Sequence, residues 1–125
     1  MATPWEMLSG TKVAASLVAL PLRAVPDPGW SLDQVEANQA SLAPAVPDWP
    51  DAPDVDPSGT WLTREVRVVF GPLSGGQSSV MVAGLALVDM STTPELLAVV
   101  AFPSAFLLQD ADTVMNLSAT VVATR

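Results

Sequence analysis

The sequence predicts an all-β fold: an antiparallel β-sandwich, of which a jelly roll is one form, with a short N-terminal helix and a proline-rich extended arm. Residues 60–70 and 113–124 alternate apolar and polar side chains, as strands with one buried face do. Residues 79–88 and 96–102 are apolar on both faces, which indicates strands covered on both sides. Turn residues separate these segments at near-regular intervals, and this spacing favours an antiparallel sandwich or barrel.

The chain has 125 residues, a size that predicts a single domain over residues 1–125. We expect a short helix and the first strand in residues 1–20, a proline-rich arm or loop in 21–57, and the core strands in 58–125. Half of the residues are hydrophobic and only 14% are charged. This composition supplies a core but little charge for a surface, which favours a protein partly covered by its neighbours.

The N-terminal part contains one helix signal and one ambiguous apolar run. Thr3-Pro4-Trp5-Glu6 is a capping-box motif with proline at the first helical position, and it predicts a helix over residues 4–9. Residues 12–20 are rich in Val and Leu and precede Pro21, which favours a strand. A helix over 14–20 is the alternative, because Ala and Leu are good helix formers.

The proline-rich segment, residues 21–57, contains eight of the chain's twelve prolines. Proline lacks a backbone donor, so this segment cannot be a central strand. Residues 31–36 form one plausible helical turn with Ser31 as its N-cap. We expect the rest to be extended and to lie along the chain's own sheets or along another subunit.

Large apolar side chains recur in the first half of the chain and are the candidates for contacts with partners. All four tryptophans lie there, and two apolar side chains of the predicted helical turn join them. Tryptophan is a frequent anchor in protein interfaces, and exposed tryptophans can also stack on sugars. The interface candidates are Trp5, Trp30, Trp49, Trp61, Leu32 and Val35.

The chain has no histidine, cysteine or tyrosine. The side-chain sets of Ser-His-Asp and Cys-His catalysis are therefore missing, and we expect no enzymatic activity, no cofactor and no metal site. Glu65 and Asp89 are the carboxylates placed in or next to predicted strands, and both are expected to be solvated. The acidic loop Asp48–Asp56 leaves calcium binding as an alternative, since oxygen-rich loops bind Ca²⁺.

The net charge of −8 and the scattered basic residues argue against direct binding to nucleic acid or to anionic membranes. Glu6 and Pro21 argue against a signal peptide built on residues 13–22. No apolar stretch approaches the roughly 20 residues of a membrane span, so a soluble protein is expected.

Several stretches resemble a group of small phage and prophage proteins whose genes accompany virion genes. The resemblance lies in PDPGWSLDQVEANQASLAPAV with the following Trp49, and then in VRVVFGPLSGGQ, VAGLALVD and ELLAVVAFPSAFLLQDADTVMNLSATVV. The chain departs from that group because it has no tyrosine, and because Asp110-Ala111-Asp112 replaces the usual Gly-Asp turn. These motifs are structural and not catalytic.

The resemblance implies a non-enzymatic structural protein of a bacteriophage virion, by preference a capsid-associated, cementing (decoration) subunit. Its partners would be other virion structural proteins, with further copies of itself in the assembly, and its place would be the virion assembled in the bacterial cytoplasm. A tail or fibre component is the alternative within this class. A glycan-binding host-attachment module built on the tryptophans is the alternative outside it.

Overall fold

Antiparallel strands dominate the structure, a computed structural model that describes residues 4–10, 13, 16–73, 77–91, 93–109 and 112–124. The elements of this part, in chain order, are α1 (Pro4–Ser9), β1 (Leu17–Leu22), α2 (Leu32–Ala37), β2 (Asp54–Val55), β3 (Trp61–Phe70), β4 (Val80–Asp89), β5 (Glu95–Leu108) and β6 (Met115–Thr124). The all-β prediction is confirmed at this level. So are helix α1 and helix α2, whereas Thr3 of the predicted capping box lies outside the described residues.

The strands form two antiparallel sheets of three strands each. Sheet I has the order β1-β4-β5, and sheet II has the order β2-β3-β6. In sheet II, β3 and β6 pair along their whole length, from Trp61 opposite Thr124 to Phe70 opposite Met115. Each sheet therefore has one outer edge near the proline-rich segment and one formed by β5 or β6.

One cluster of buried side chains draws on both sheets and is called here the inter-sheet cluster. The alternation predicted for residues 60–70 and 113–124 is confirmed, because β3 and β6 each turn every second side chain into it. Its fully or almost fully buried members include Leu17, Ala19, Leu62, Val66, Val68, Phe70, Val82, Leu85, Leu87 and Met115. Sheet I and sheet II thus share one core.

Helix α2 covers the other face of sheet I and explains why β4 is apolar on both faces. Val35 of α2 packs with Leu20 and Leu22 of β1 and with Ala86 and Val88 of β4, a group called here the helix-covered cluster. The helix begins at a full capping box, in which the Ser31 side chain accepts from the Gln34 amide while the Gln34 side chain accepts from the Ser31 amide. Residues 82–88 are buried without interruption as a result.

The prediction that the first strand ends before Pro21 is wrong. Strand β1 runs from Leu17 to Leu22, and Pro21 lies opposite Leu85 of β4. The carbonyl of Pro21 accepts a hydrogen bond from the Ala40 amide at 2.8 Å, on the side away from β4. The nitrogen and carbonyl of a strand residue point the same way, so the missing donor of Pro21 removes no bond to β4.

The proline-rich segment crosses from the edge of sheet I to the edge of sheet II. Ala45 exchanges two backbone hydrogen bonds with Ala19 of β1, at 2.8 and 2.9 Å. Asp48 does the same with Arg67 of β3, at 2.8 Å in both directions. Strand β2 then pairs with β3. One side of the two sheets is thereby closed by the chain itself.

Strand β5 is longer than the predicted run over residues 96–102, because it continues through Pro103 to Leu108. Its pairing with β4 is interrupted between Ala101 and Phe106, where the register shifts. Pro103 lies in this irregular stretch, where no ladder hydrogen bond from it is required. A proline here bends the edge of the sheet and does not end the strand.

Candidate interaction surface

A buried arginine ties the N-terminal helix to the sheets. Arg64 lies on the inward face of β3 and is only 3% exposed. Its guanidinium donates to the carbonyls of Leu8 and Gly10, both at 2.7 Å, and lies 5.7 Å from the ring centroid of Trp49. A cation at the C-terminal end of a helix interacts favourably with the carbonyls there. Desolvation by burial lowers the pKa of Arg64.

In the sequence, Arg64 is one of several scattered basic residues, and its contact with the N-terminal helix was not predicted. The sequence signal for its burial is its position, because Arg64 falls between Leu62 and Val66 on the apolar face of an alternating strand. An arginine at such a position must be buried with hydrogen-bond acceptors nearby. The acceptors lie 54 and 56 residues away in sequence, so alternation alone could not identify them.

The four tryptophans are distributed over different parts of the fold. Trp5 and Trp49 are half-buried against the inter-sheet cluster, and Trp30 is half-buried against the helix-covered cluster. Trp61 is 43% exposed at the start of β3. A sugar platform needs coplanar exposed rings, and of these four side chains Trp61 alone is exposed.

The two remaining interface candidates belong to α2. Val35 is fully buried in the helix-covered cluster, and Leu32 is half-buried beside it. Val35 therefore has no exposed surface with which to contact a partner. Elsewhere in the proline-rich segment, Val25 and Val46 are 61% and 78% exposed and contribute little to this chain's own core.

The side of the sheets opposite the proline-rich segment is open. Strand β5 ends sheet I and strand β6 ends sheet II, and among the described residues no strand pairs with the outer edge of either. Leu117 and Ala119 of β6 face inward like their buried neighbours, yet they are only half-buried. Phe106 and Leu107 of β5 are 47% and 42% exposed. The core is thus incompletely covered along this side.

A groove of about 320 Å³ lies between these two edges. Its lining is mostly apolar and comes from β5 and β6 alone: Val100, Ala101, Phe102, Pro103, Ser104, Phe106, Leu117, Ser118 and Ala119. Neither strand contains a basic residue, and Glu95 is the one charged residue in the two strands. We define these two outer edges and the groove between them as the open side.

Two carboxylates on strands, those of Glu65 and Asp89, are engaged in local hydrogen bonds. The Ser118 hydroxyl donates to Glu65 Oε2 at 2.8 Å, and Arg67 Nε lies 3.3 Å from the same oxygen. The bond from Ser118, with that from Arg67, lowers the pKa of Glu65. A hydrogen bond from Ser16, supported by the Ser91 amide, lowers the pKa of Asp89.

In the acidic loop Asp48–Asp56, the Asp56 carboxylate accepts from the amide and hydroxyl of Ser58. The described residues contain no group of three or more Asp, Glu, His or Cys side chains that could hold a metal ion. Neither described helix is long and apolar enough to cross a membrane. The acidic loop therefore offers hydrogen-bonding carboxylates but no converging ligand set within these ranges.

Comparison of the chain with protein-family models, with curated proteins and with solved structures finds no match.

Proposed function

We propose that this chain is a non-enzymatic structural protein of a bacteriophage virion, preferentially a capsid-associated, cementing subunit, that acts by packing against other protein chains. In this proposal the two sheets are the layers of a β-sandwich. The partners are other virion structural proteins and further copies of the chain, and direct contact with nucleic acid is not required.

The open side is the observation that supports a packing role. Solvent-exposed strand edges carry unpaired N–H and C=O groups, and natural proteins blunt them with charges, bulges or covering segments. Here the chain covers the edges of β1 and β3 with its proline-rich segment. It leaves β5 and β6 with two register shifts in the pairing of β5 with β4, near Leu97 and near Pro103, and with one charged residue. An apolar groove left open in this way is suited to a protein partner.

The proposal of a bacteriophage virion protein comes from the sequence resemblance. The absence of histidine, cysteine and tyrosine supports the proposal that the protein is not an enzyme. A net charge of −8 disfavours contact with the packaged nucleic acid and is compatible with a position on the outside of a particle.

A mass-spectrometric inventory of purified particles, with copy numbers and with heads and tails separated, tests this proposal. We expect the chain in the head fraction, in many copies per particle. Its presence only in tails would replace the cementing role with that of a tail or fibre component. Its absence from washed particles, while known head proteins are recovered, would overturn the virion proposal altogether.

A further inference from the structure

Among the described residues, the outer edge of β5 is the longest strand edge without a pairing partner. The strand has 14 residues, from Glu95 to Leu108, and it is bonded on one side only, to β4. Every second residue along such an edge presents a free N–H and a free C=O to the outside. An added antiparallel strand satisfies these groups, which is the mode of recognition called β-augmentation.

The charge on the chain restricts which partner fits this edge. Residues 96–108 contain no charged residue, although the chain carries 13 acidic side chains. A basic partner would be drawn to the acidic surfaces and not to this neutral strand. Two copies, each with a net charge of −8, repel one another wherever acidic surfaces meet. A neutral edge is the part of the surface through which they approach without that cost.

We propose that β5 of one copy pairs with β5 of a second copy, antiparallel and about a twofold axis, so that two copies of sheet I form one six-stranded sheet. This inference rests on the proposed packing function and names the partner at the open side. A twofold interface requires a self-complementary surface, and an uncharged strand meets that condition.

The irregular stretch at Pro103 places the axis in the N-terminal half of β5. Proline cannot donate to a new ladder, and the register with β4 also shifts near Leu97, so pairing is most regular over residues 98–101, with the axis at Val100. With the axis there, the two Glu95 side chains lie about 25–35 Å apart at roughly 3.3 Å per residue. That distance exceeds the Debye length of about 8 Å at physiological salt, so their repulsion is screened.

Ala101 is the position at which to test this pairing. It is exposed, and it lies opposite Gly84 of β4, so a longer side chain there does not enter either core cluster. With the axis at Val100, a charge at residue 101 lies diagonally across the strand pair from its own symmetry copy, about 7–8 Å away and within reach of long side chains. Ala101→Glu and Ala101→Lys should each weaken self-association at least about fivefold, because like charges repel across strands. A 1:1 mixture of the two variants should restore it, because the charges are then opposite.

The experiment is sedimentation velocity on the purified full chain over a dilution series, with circular dichroism and melting temperature confirming that each variant is folded. Ala43→Glu and Ala43→Lys are the matched controls, since Ala43 is exposed in the segment that covers β1, on the opposite edge of sheet I. We expect these controls to associate like the unaltered chain, alone and mixed.

A chain that stays monomeric throughout, or a dimer that neither Ala101 variant weakens, would overturn the inference. Loss of association without recovery in the mixture would also overturn it, because a twofold pairing must recover. Incorporation of the same variants into purified phage particles is measured separately, by mass spectrometry. Absence of self-association with the chain still present in particles would leave the proposed function standing. Self-association of a chain absent from particles would support the pairing and refute the virion role.

Discussion

Arg64 shows how a single buried polar side chain helps to fix the position of a short helix against a sheet. Helix α1 has six residues, too short to be stable by its own hydrogen bonds. Its last carbonyls would lack intrahelical partners. The guanidinium supplies donors to two carbonyls of this region, at Leu8 and Gly10, and its central carbon lies 5.7 Å from the ring centroid of Trp49. The N-terminal helix is therefore held both by this side chain and by Met7 and Leu8, which are buried in the inter-sheet cluster.

Arg64→Met is expected to lower the free energy of unfolding by about 2–4 kcal/mol, because it keeps the apolar stem and removes charge-assisted bonds to buried carbonyls. Urea denaturation measures this. Arg67→Ala is the control: Arg67 is on the same strand with an exposed side chain, and its ion pair with Glu65 is worth at most about 1 kcal/mol. Equal stability of Arg64→Met and the unaltered chain would show that guanidinium desolvation cancels its bonds.

Glu65 provides a pH-dependent prediction on the outer face of sheet II. The hydrogen bond from Ser118 and the neighbouring Arg67 lower its pKa in the folded state. A lowered pKa stabilises the fold at pH values above the unfolded-state pKa, and this contribution is lost as the pH falls through the folded-state pKa. Ser118→Ala should raise the pKa of Glu65 toward its ordinary value, as followed by NMR titration of the carboxyl carbon. An unchanged titration midpoint would contradict the assigned cause.

At the scale of elements, proline at strand positions was the point where a local rule failed. Proline was expected to bound strands at Pro21 and Pro103, and both strands continue through it. Proline is excluded only where its nitrogen must donate to a neighbouring strand. Which way a nitrogen points depends on pairing with distant residues, and therefore a local pattern cannot decide it.

Gly84 is required by the close approach of the proline-rich segment to β4. A β-carbon at this position would lie 2.5 Å from Pro26 Cδ and 2.6 Å from the Val100 carbonyl oxygen. Neither a proline ring nor a paired backbone can yield cheaply, so Gly84→Ala should cost about 1–3 kcal/mol. In Gly29→Ala the nearest atom is a carboxylate oxygen of exposed Asp27 at 3.3 Å. Thermal unfolding of both variants should show a large drop for Gly84→Ala only.

Substitutions in helix α2 test whether its apolar side chains stabilise this chain itself or contact a partner. Val35 is fully buried against β1 and β4, so Val35→Ala should destabilise the isolated chain by about 1–3 kcal/mol. Glu36→Ala, one residue further on and exposed, should change stability by less than about 0.5 kcal/mol. If Val35→Ala left the melting temperature of the isolated chain unchanged and weakened only its assembly, Val35 would be an interface residue as first predicted.

For the whole molecule, the sequence predicted which residues form strands better than it predicted which strands pair with one another. The alternation in β3 and β6 and the two-sided apolar β4 depend on neighbouring residues and could be recognised directly. The open side depends on which strands end each sheet, which is a property of long-range pairing. The interface candidates were chosen for size and aromatic character. Several of them therefore proved to pack on the chain's own clusters, while β5 went unselected because its apolar residues suggested a covered strand.

Hydrogen exchange distinguishes the closed side of the molecule from the open side. In the isolated chain the amides of Ala40, Ala45 and Asp48 should be protected, because they donate to Pro21, Ala19 and Arg67 at 2.8–2.9 Å. The outward amides of β5 should exchange rapidly, because nothing described pairs with them. Working near the lower end of the dilution series keeps the chain dissociated for this measurement.

In assembled particles we expect new protection within residues 95–108 and little change at those three amides of the proline-rich segment. The sequence predicted that the proline-rich segment lies along the chain's own sheets or along another subunit, and this result would set aside the expectation of another subunit. New protection confined to residues 21–57, with β5 still exchanging freely, would restore that expectation. It would also place the packing surface on the opposite side of the molecule, and the β5 pairing would then be wrong.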